Sequence, residues 1–311
     1  MKIKTIIEPG KQVSWDEFNS SKTNSIALDG YVTDGPKWDE KSLNANFDHH
    51  NSVVREATMS TAMQIYFAIK GGMMSRYENT EISVFINDVD QDTTMAIWLL
   101  KNYKLFEGTN SVPHVNRILT LNDRLDITGG AFPMSIDDKV YFQHCWVFQP
   151  YTNLRISGAI AKADKKVFEN CLESILSRLD KLLMGEAEEY IPSFDYEILH
   201  TSDNLIVVDE TLGGIEARHY LFTHNIINKS YLSIIAKKND GSFVYTIGKK
   251  SRYIKLPMRE IFEELNKLEN TRDNSNCWGG SDIIGGSPRA TGSHLTWQTI
   301  VSVVDNCLSI K

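Results

Sequence analysis

The chain has 311 residues, enough for two domains of ordinary size, and its 41% hydrophobic and 23% charged residues are the balance of a soluble globular protein. The formal net charge of −7 argues against a duplex-DNA binder held by phosphate contacts, which is usually basic. An acidic chain can still take phosphates through bound cations, because carboxylate ligands count as negative charge until the metal arrives.

Residues 25–32 (SIALDGYV) read as a strand ending on a carboxylate. Over 57–69, Ala62, Ile65, Tyr66 and Ile69 fall on one helical face. Residues 81–87 form a β-rich run and 93–102 a helix, and this alternation predicts βαβ units with a largely parallel sheet. The stretch 133–158 reads as loop with short elements. A long helix is expected over 162–184, with Phe168, Cys171, Ile175, Leu179 and Leu182 at core spacing and Gly185 as its cap. Residues 204–208, 231–236 and 243–247 are strand-like, with a hairpin turn at Asn239-Asp240-Gly241. Pro257 opens a helix with Ile261, Leu265 and Leu268 inward, and 277–294 is glycine-rich and poor in core residues. The expected class is α/β: a mainly parallel-sheet domain over 1–155, a linker helix region over 156–195 and a smaller α/β domain over 196–311. The cysteines Cys145, Cys171, Cys277 and Cys307 form no Cys-x-x-Cys pair and no dense disulfide framework. The opening MKIKTIIEPGKQ has no signal-peptide pattern, and no run of about 18 apolar residues occurs, so a cytoplasmic, non-membrane protein is expected.

Four clusters of metal-capable residues lie in the first part of the chain: Asp29; Asp48-His49-His50; Asp88, Asp90 and Asp92; and Asp123 with Asp126. Each falls in a loop leaving a strand or near a helix end, where an α/β sheet gathers its ligands. A lone strand-end Asp is usually a cap or turn residue, and adjacent histidines are more often surface groups. The interleaving of these clusters with strands and helices favours a metal centre over those readings. Carboxylates with imidazoles suit Mn²⁺ or Mg²⁺, and two ions about 3.5–4 Å apart would serve an in-line displacement at phosphorus. In an extended segment Asp90 and Asp92 would point to one side, each serving a different ion. His144 with Cys145 lacks the second pair a ligand site would need. Near the C-terminus, Gly279, Gly280, Gly285, Gly286 and Gly292 let backbone N–H groups approach an anion, and Ser287, Arg289 and Ser293 add donors.

These residues resemble the DHH phosphoesterase superfamily. Phe47-Asp48-His49-His50 is similar to its namesake motif, and Asn87-Asp88-Val89-Asp90-Gln91-Asp92-Thr93 to its Asp-rich motif. Asp29 resembles the single strand-end aspartate, and Asp123 or Asp126 the fourth motif. The glycine-rich stretch resembles the substrate loop of the accessory DHHA1 domain. The Asp-rich motif, which usually comes first, here follows the DHH triplet, so the resemblance is to a permuted, divergent member. It implies that Asp29 bridges two Mn²⁺ ions, with Mg²⁺ as the alternative, that Asp90 and Asp92 each hold one, and that His49 is a ligand. Asp88 takes the place of a missing histidine, and Asp123 or Asp126 completes the second ion. Asp48 would orient His49, His50 would face the substrate phosphate or support the metal shell, and Arg289 would hold the substrate's phosphate or its far end. Gly285, Gly286, Ser287, Gly292 and Ser293 would line the substrate loop. The implied activity is hydrolysis of a small phosphoester: a short oligonucleotide, cyclic dinucleotide or nucleotide. The alternatives are a pyrophosphatase or exopolyphosphatase, and a non-hydrolysing nucleotide-binding regulator. Short single-stranded nucleic acid is a further candidate substrate and a homodimer a candidate assembly.

Overall fold

The computed structural model describes residues 1–50, 53–132, 138–193, 195–211, 214–270, 276–288 and 291–309. The chain divides into two compact units, Met1–Ile127 with Ile136–Pro192, and Thr128–Ser135 with Ser193–Lys311.

The first unit holds strands β1 (Lys2–Ile7), β2 (Ser25–Leu28), β3 (Lys37–Asp39), β4 (Asn44–Phe47) and β5 (Glu81–Ile86), in the order β1-β5-β2-β4-β3. The strands β1, β5, β2 and β4 run parallel and β3 antiparallel, so this mixed sheet has a parallel centre. All four residues of β2 are buried, as a central strand covered on both faces requires. Around the sheet lie α1 (Trp15–Ser21), α2 (Thr61–Lys70), α3 (Gln91–Lys101), α4 (Pro113–Thr128), α5 (Asp138–Ile156) and α6 (Lys165–Leu183). Ala62, Ile65 and Ile69 of α2 are buried as their spacing predicts. Helix α3 is buried continuously from Asp92 to Leu100, and its Trp98 Nε1–H donates to Asp180 Oδ1 of α6 at 2.8 Å.

Helix α5 corrects the reading of 133–158 as loop; residues 133–137 lie outside the described part. Consecutive burial of His144 through Phe148 hides any amphipathic period, and Pro150 sits inside the helix. Proline cannot donate to the carbonyl four residues back, that of Trp146. Arg178 Nη1 of α6 donates to this carbonyl instead, and its guanidinium stacks on the Trp146 ring at 4.9 Å. Helix α6 is capped by Asp164, whose side chain accepts from the Val167 N–H, and ends at Gly185 with φ +77°. Its Phe168, Cys171, Leu172, Ile175, Leu179 and Leu182 enter the core of the first unit.

The second unit holds β6 (Glu197–Thr201), β7 (Ile206–Asp209), α7 (Ile215–Thr223), β8 (Ser230–Lys237), β9 (Phe243–Lys249), α8 (Met258–Leu268), β10 (Gly279–Gly280), β11 (Ile284–Gly286) and α9 (Trp297–Ser309). The sheet order is β10-β11-β9-β8-β7-β6, with β7 and β8 parallel and the other neighbours antiparallel. The β8–β9 hairpin turns where Gly241 takes φ +84° and Asp240 Oδ1 accepts the Ser242 N–H. Strand alternation sorts the core onto two faces. Val207 and Leu232 pack with Ile261, Leu265 and Ile300 of α8 and α9, whereas Val208 and Tyr231 pack with Leu221, Phe222 and Ala131. Leu268, expected inward, is 54% exposed, because it lies in the last turn of α8 beyond the buried Ile261 and Leu265. Among the described residues no helix is long and apolar enough to cross a membrane.

Candidate metal centre

Strands β5, β2 and β4 are adjacent and parallel, so the loops at their C-terminal ends gather at one edge of the sheet although they are distant in sequence. They carry Asp88–Asp92, Asp29 and Asp48–His50. Asp29 has φ +50° and is followed by Gly30 at +78°. The left-handed region is one that aspartate tolerates better than most side chains, and here it turns the chain as soon as β2 ends. Helix α4 brings Asp126 in its final turn.

His49 is fully buried, and its Nε2 lies 2.7 Å from Asp126 Oδ2, 3.5 Å from Asp29 Oδ1 and 3.9 Å from Asp92 Oδ2. His50 Nε2 is 2.9 Å from Asp29 Oδ1. Two groups that could hold a metal result, Asp29-His49-His50 and His49-Asp92-Asp126, each with its ligand atoms within 4.8 Å of one another. Atoms bound to one ion at roughly 2.1 Å stand about 3–3.4 Å apart, and these spacings bracket that value. Among the described residues, His49 Nδ1 and Nε2 and Asp126 Oδ2 are buried without an aligned hydrogen bond. Buried polar atoms are normally paired, and of these His49 Nε2 and Asp126 Oδ2 face each other, as a cation held by both would require.

The electrostatics agree. Burial, with repulsion from Asp29, Asp88 and Asp126, pushes the Asp90 carboxyl well above the usual range. Burial with the charges of Asp126 and Asp29 does the same to Asp92. Burial also opposes ionisation of Asp29, but the neighbouring imidazoles of His50 and His49 hold it well below the usual range. For His49 burial disfavours the charged ring, yet the carboxylates of Asp126 and Asp29 outweigh it and push the ring up to about 10. In the metal-free protein, protons stand in for cations among crowded carboxylates.

A supporting layer holds these groups. Thr61 Oγ1 and Thr93 Oγ1 donate to the two oxygens of Asp29, at 3.1 and 3.3 Å. Asp92 accepts the Thr61 and Ala62 N–H groups and Asn122 Nδ2, and Asn122 Oδ1 in turn accepts from His144 Nε2. Arg55 bonds His50 Nδ1 and the carbonyls of Asp126 and Ile127. Arg55, Thr61 and Asn122 lie outside the sequence motifs, and Thr93 closes the Asp-rich motif with no role assigned to it. Asn122 stands four residues before Asp126, on the same helical face, a spacing that could have found it. Arg55 has no such signal.

The other expected residues are placed differently. Asp48 is buried and its Oδ2 accepts the His50 N–H at 3.0 Å, and among the described residues no hydrogen bond reaches His49 Nδ1. Asp90 is the N-cap of α3, its Oδ1 accepting the Thr93 N–H, and Asp92 lies in the helix's first turn, so the pair does not form the extended segment expected. Asp88 accepts from the Val89 N–H and Tyr151 Oη, and Asp123 Oδ1 accepts the Ser60 N–H. Asp88, Asp90 and Asp123 are not in either group, whereas Asp126 is.

In the second unit, a Cβ on Gly285 would meet Phe262 Cζ at 2.4 Å, and one on Gly286 would meet the Tyr245 carbonyl at 2.7 Å, so strand packing requires both glycines. Gly292 has φ +73°. Ser287 Oγ accepts the Tyr245 N–H, and Ser293 Oγ donates to Glu269. Arg289 lies outside the described residues. No protein-family model, no curated protein and no solved structure matches the chain.

Proposed function

We propose that the chain is a metal-dependent phosphoester hydrolase, a divergent relative of the DHH phosphoesterases with a DHHA1-like second unit, acting on a short oligonucleotide, cyclic dinucleotide or nucleotide. The observation that carries this reading is the convergence of Asp29, His49, His50, Asp92 and Asp126 from four separate segments into two ligand groups sharing His49. The shared imidazole nitrogen of His49 can bind one ion, so a second ion would need a carboxylate such as Asp29 as the bridge, and the carboxylate-rich set suits Mn²⁺ or Mg²⁺. Such ions supply Lewis-acid stabilisation of phosphoryl oxygens and make water nucleophilic near neutral pH. The chain's own part is positional. Thr61 and Thr93 fix the carboxylate of Asp29, and the N-terminus of α2 fixes that of Asp92. His50, with a third of its side chain exposed, is the imidazole of the pair that solvent reaches.

The test is phosphate or nucleoside release from a panel of dinucleotides, cyclic dinucleotides, 3′,5′-bisphosphate nucleotides, pyrophosphate and polyphosphate, with Mn²⁺ and then with chelator. Chelator-sensitive turnover of a nucleotide class supports the proposal, and turnover of pyrophosphate or polyphosphate alone moves it to the inorganic substrates. Metal binding with no turnover of any class overturns hydrolysis in favour of a binding protein.

A further inference from the structure

Arg55 lies five residues beyond His50 and is 8% exposed. Its Nη1 is 2.9 Å from His50 Nδ1, its Nε donates to the Ile127 carbonyl at 3.0 Å and its Nη2 to the Asp126 carbonyl at 3.0 Å. A guanidinium carries donors and no acceptor and keeps its charge in proteins. The nitrogen of His50 that faces it must therefore be bare. The ring proton then sits on Nε2, which is 2.9 Å from Asp29 Oδ1 and donates to it.

This arrangement bears on which atoms hold metal. A histidine binds a cation through a bare ring nitrogen while its other nitrogen donates to a second partner. His50 has the reverse pattern: Nδ1 is spent on Arg55, and Nε2, the nitrogen that faces Asp29, carries the proton. Binding through Nε2 would demand an imidazolate beside a buried carboxylate. His49 has no such constraint, since among the described residues neither of its nitrogens has an aligned partner.

Resting on the metal-hydrolase reading, we infer that Arg55 is a positioning residue that locks His50 as an Nε2–H donor to Asp29 and keeps it out of the metal shell, leaving Asp29 and His49 as the ligands of the first group. The same guanidinium holds two carbonyls in the last turn of α4, one of them that of Asp126 itself, so it also seats the ligand on which the second group depends.

The experiment uses the full chain with ¹⁵N-labelled histidine, metal-free and loaded with Zn²⁺ as a diamagnetic probe, and reads the imidazole nitrogens by two-bond ¹⁵N–¹H correlation. In both states His50 should show a protonated Nε2 and a bare, hydrogen-bonded Nδ1, while a nitrogen of His49 moves to the metal-bound range on loading. Arg55→Met should abolish the hydrogen-bond shift at His50 Nδ1. Should that variant fail to fold, Zn²⁺ titrations of two others decide. His50→Gln keeps an N–H that can reach Asp29 and should retain affinity within about tenfold, whereas His49→Gln should lose more than about 100-fold. A metal-bound nitrogen on His50, a proton on its Nδ1 in the metal-free chain, or equal losses in the two variants would overturn the inference. None of these readouts needs turnover, so a chain that binds Zn²⁺ as described and hydrolyses nothing refutes the hydrolase and leaves the role of Arg55 standing.

Discussion

The carboxylate of Asp92 caps a helix other than its own: Oδ2 accepts the Thr61 N–H at 2.6 Å and Oδ1 the Ala62 N–H at 3.0 Å, the first backbone donors of α2. A negative group at a helix N-terminus satisfies orphan donors and meets the positive end of the helix dipole. Asp92 is thus both a candidate ligand and a structural cap, and the two roles separate by measurement. Asp92→Ala should lower the stability of the metal-free chain by about 1–3 kcal/mol, read from the urea midpoint, and should also weaken metal binding. Asp29→Asn should lose metal affinity at least as severely, because Asp29 caps no helix and its carboxylate serves the cation group. Equal affinity in wild type and Asp29→Asn would remove Asp29 from the centre.

Metal uptake should release protons. In the metal-free protein His49 is held charged up to about 10, and Asp90 and Asp92 are pushed well above the usual carboxylate range. A cation needs a bare imidazole nitrogen, so binding through His49 at pH 7 must expel its proton. The sign for stability follows. With a folded pKa above the unfolded value near 6.5, His49 stabilises the metal-free chain below about 6.5 and loses that contribution as the pH rises through about 10. Calorimetry in buffers of different ionisation enthalpy should detect release of at least about one proton, with affinity rising from pH 6 to 9. Uptake independent of buffer and pH would contradict this charge state.

A second pH effect belongs to His219 in α7. Burial, reinforced by the charge of His224, pushes its imidazole down to about 4. The unfolded chain takes up this proton near pH 6.5, and the folded chain takes it up only near 4. The stability it contributes is present above about 6.5 and is lost as the pH falls toward 4, with an upper limit of about 3 kcal/mol. His219→Gln should flatten this part of the pH–stability curve, measured by urea unfolding between pH 7 and 4.

Arg178 and Pro150 should be coupled. Arg178→Met leaves the Trp146 carbonyl without its guanidinium donor and should cost about 1–3 kcal/mol. Pro150→Ala restores the helical N–H to that carbonyl, so the double variant should lose less than Arg178→Met alone. Additive losses in the double-mutant cycle would show that the carbonyl is satisfied in another way.

The sequence made the metal-capable clusters visible because their residues stand together in short runs, Asp48-His49-His50 above all, at strand ends. What it could not show was which members of a run turn inward. Asp90 and Asp92 look alike as a spaced pair, but the start of α3 between them makes one its own helix's cap and gives the other to α2. Asp123 and Asp126 share the end of α4, and only the second faces His49. Arg55 was hidden for another reason: its three partners lie on two segments about seventy residues apart, and no local pattern encodes that meeting. Among the elements, α2 and α6 announced themselves by period, and α3 by its place after a β-rich run. Helix α5 did not, since burial on successive residues and an internal proline erase both the stripe and the propensity on which such a reading depends.

The segment Thr128–Ser135 interrupts the first unit in sequence yet belongs to the second, where Arg218 Nη1 donates to the Gly129 carbonyl at 2.6 Å and Ala131 joins the core beside Leu221 and Phe222. No single cut in the gene therefore yields both units whole. A clone beginning at residue 193 would lack part of its own hydrophobic core, and the buried Arg218 would keep Glu210 but lose its carbonyl acceptor. Dissection of this protein calls for circular permutation, or for two fragments expressed together, rather than truncation.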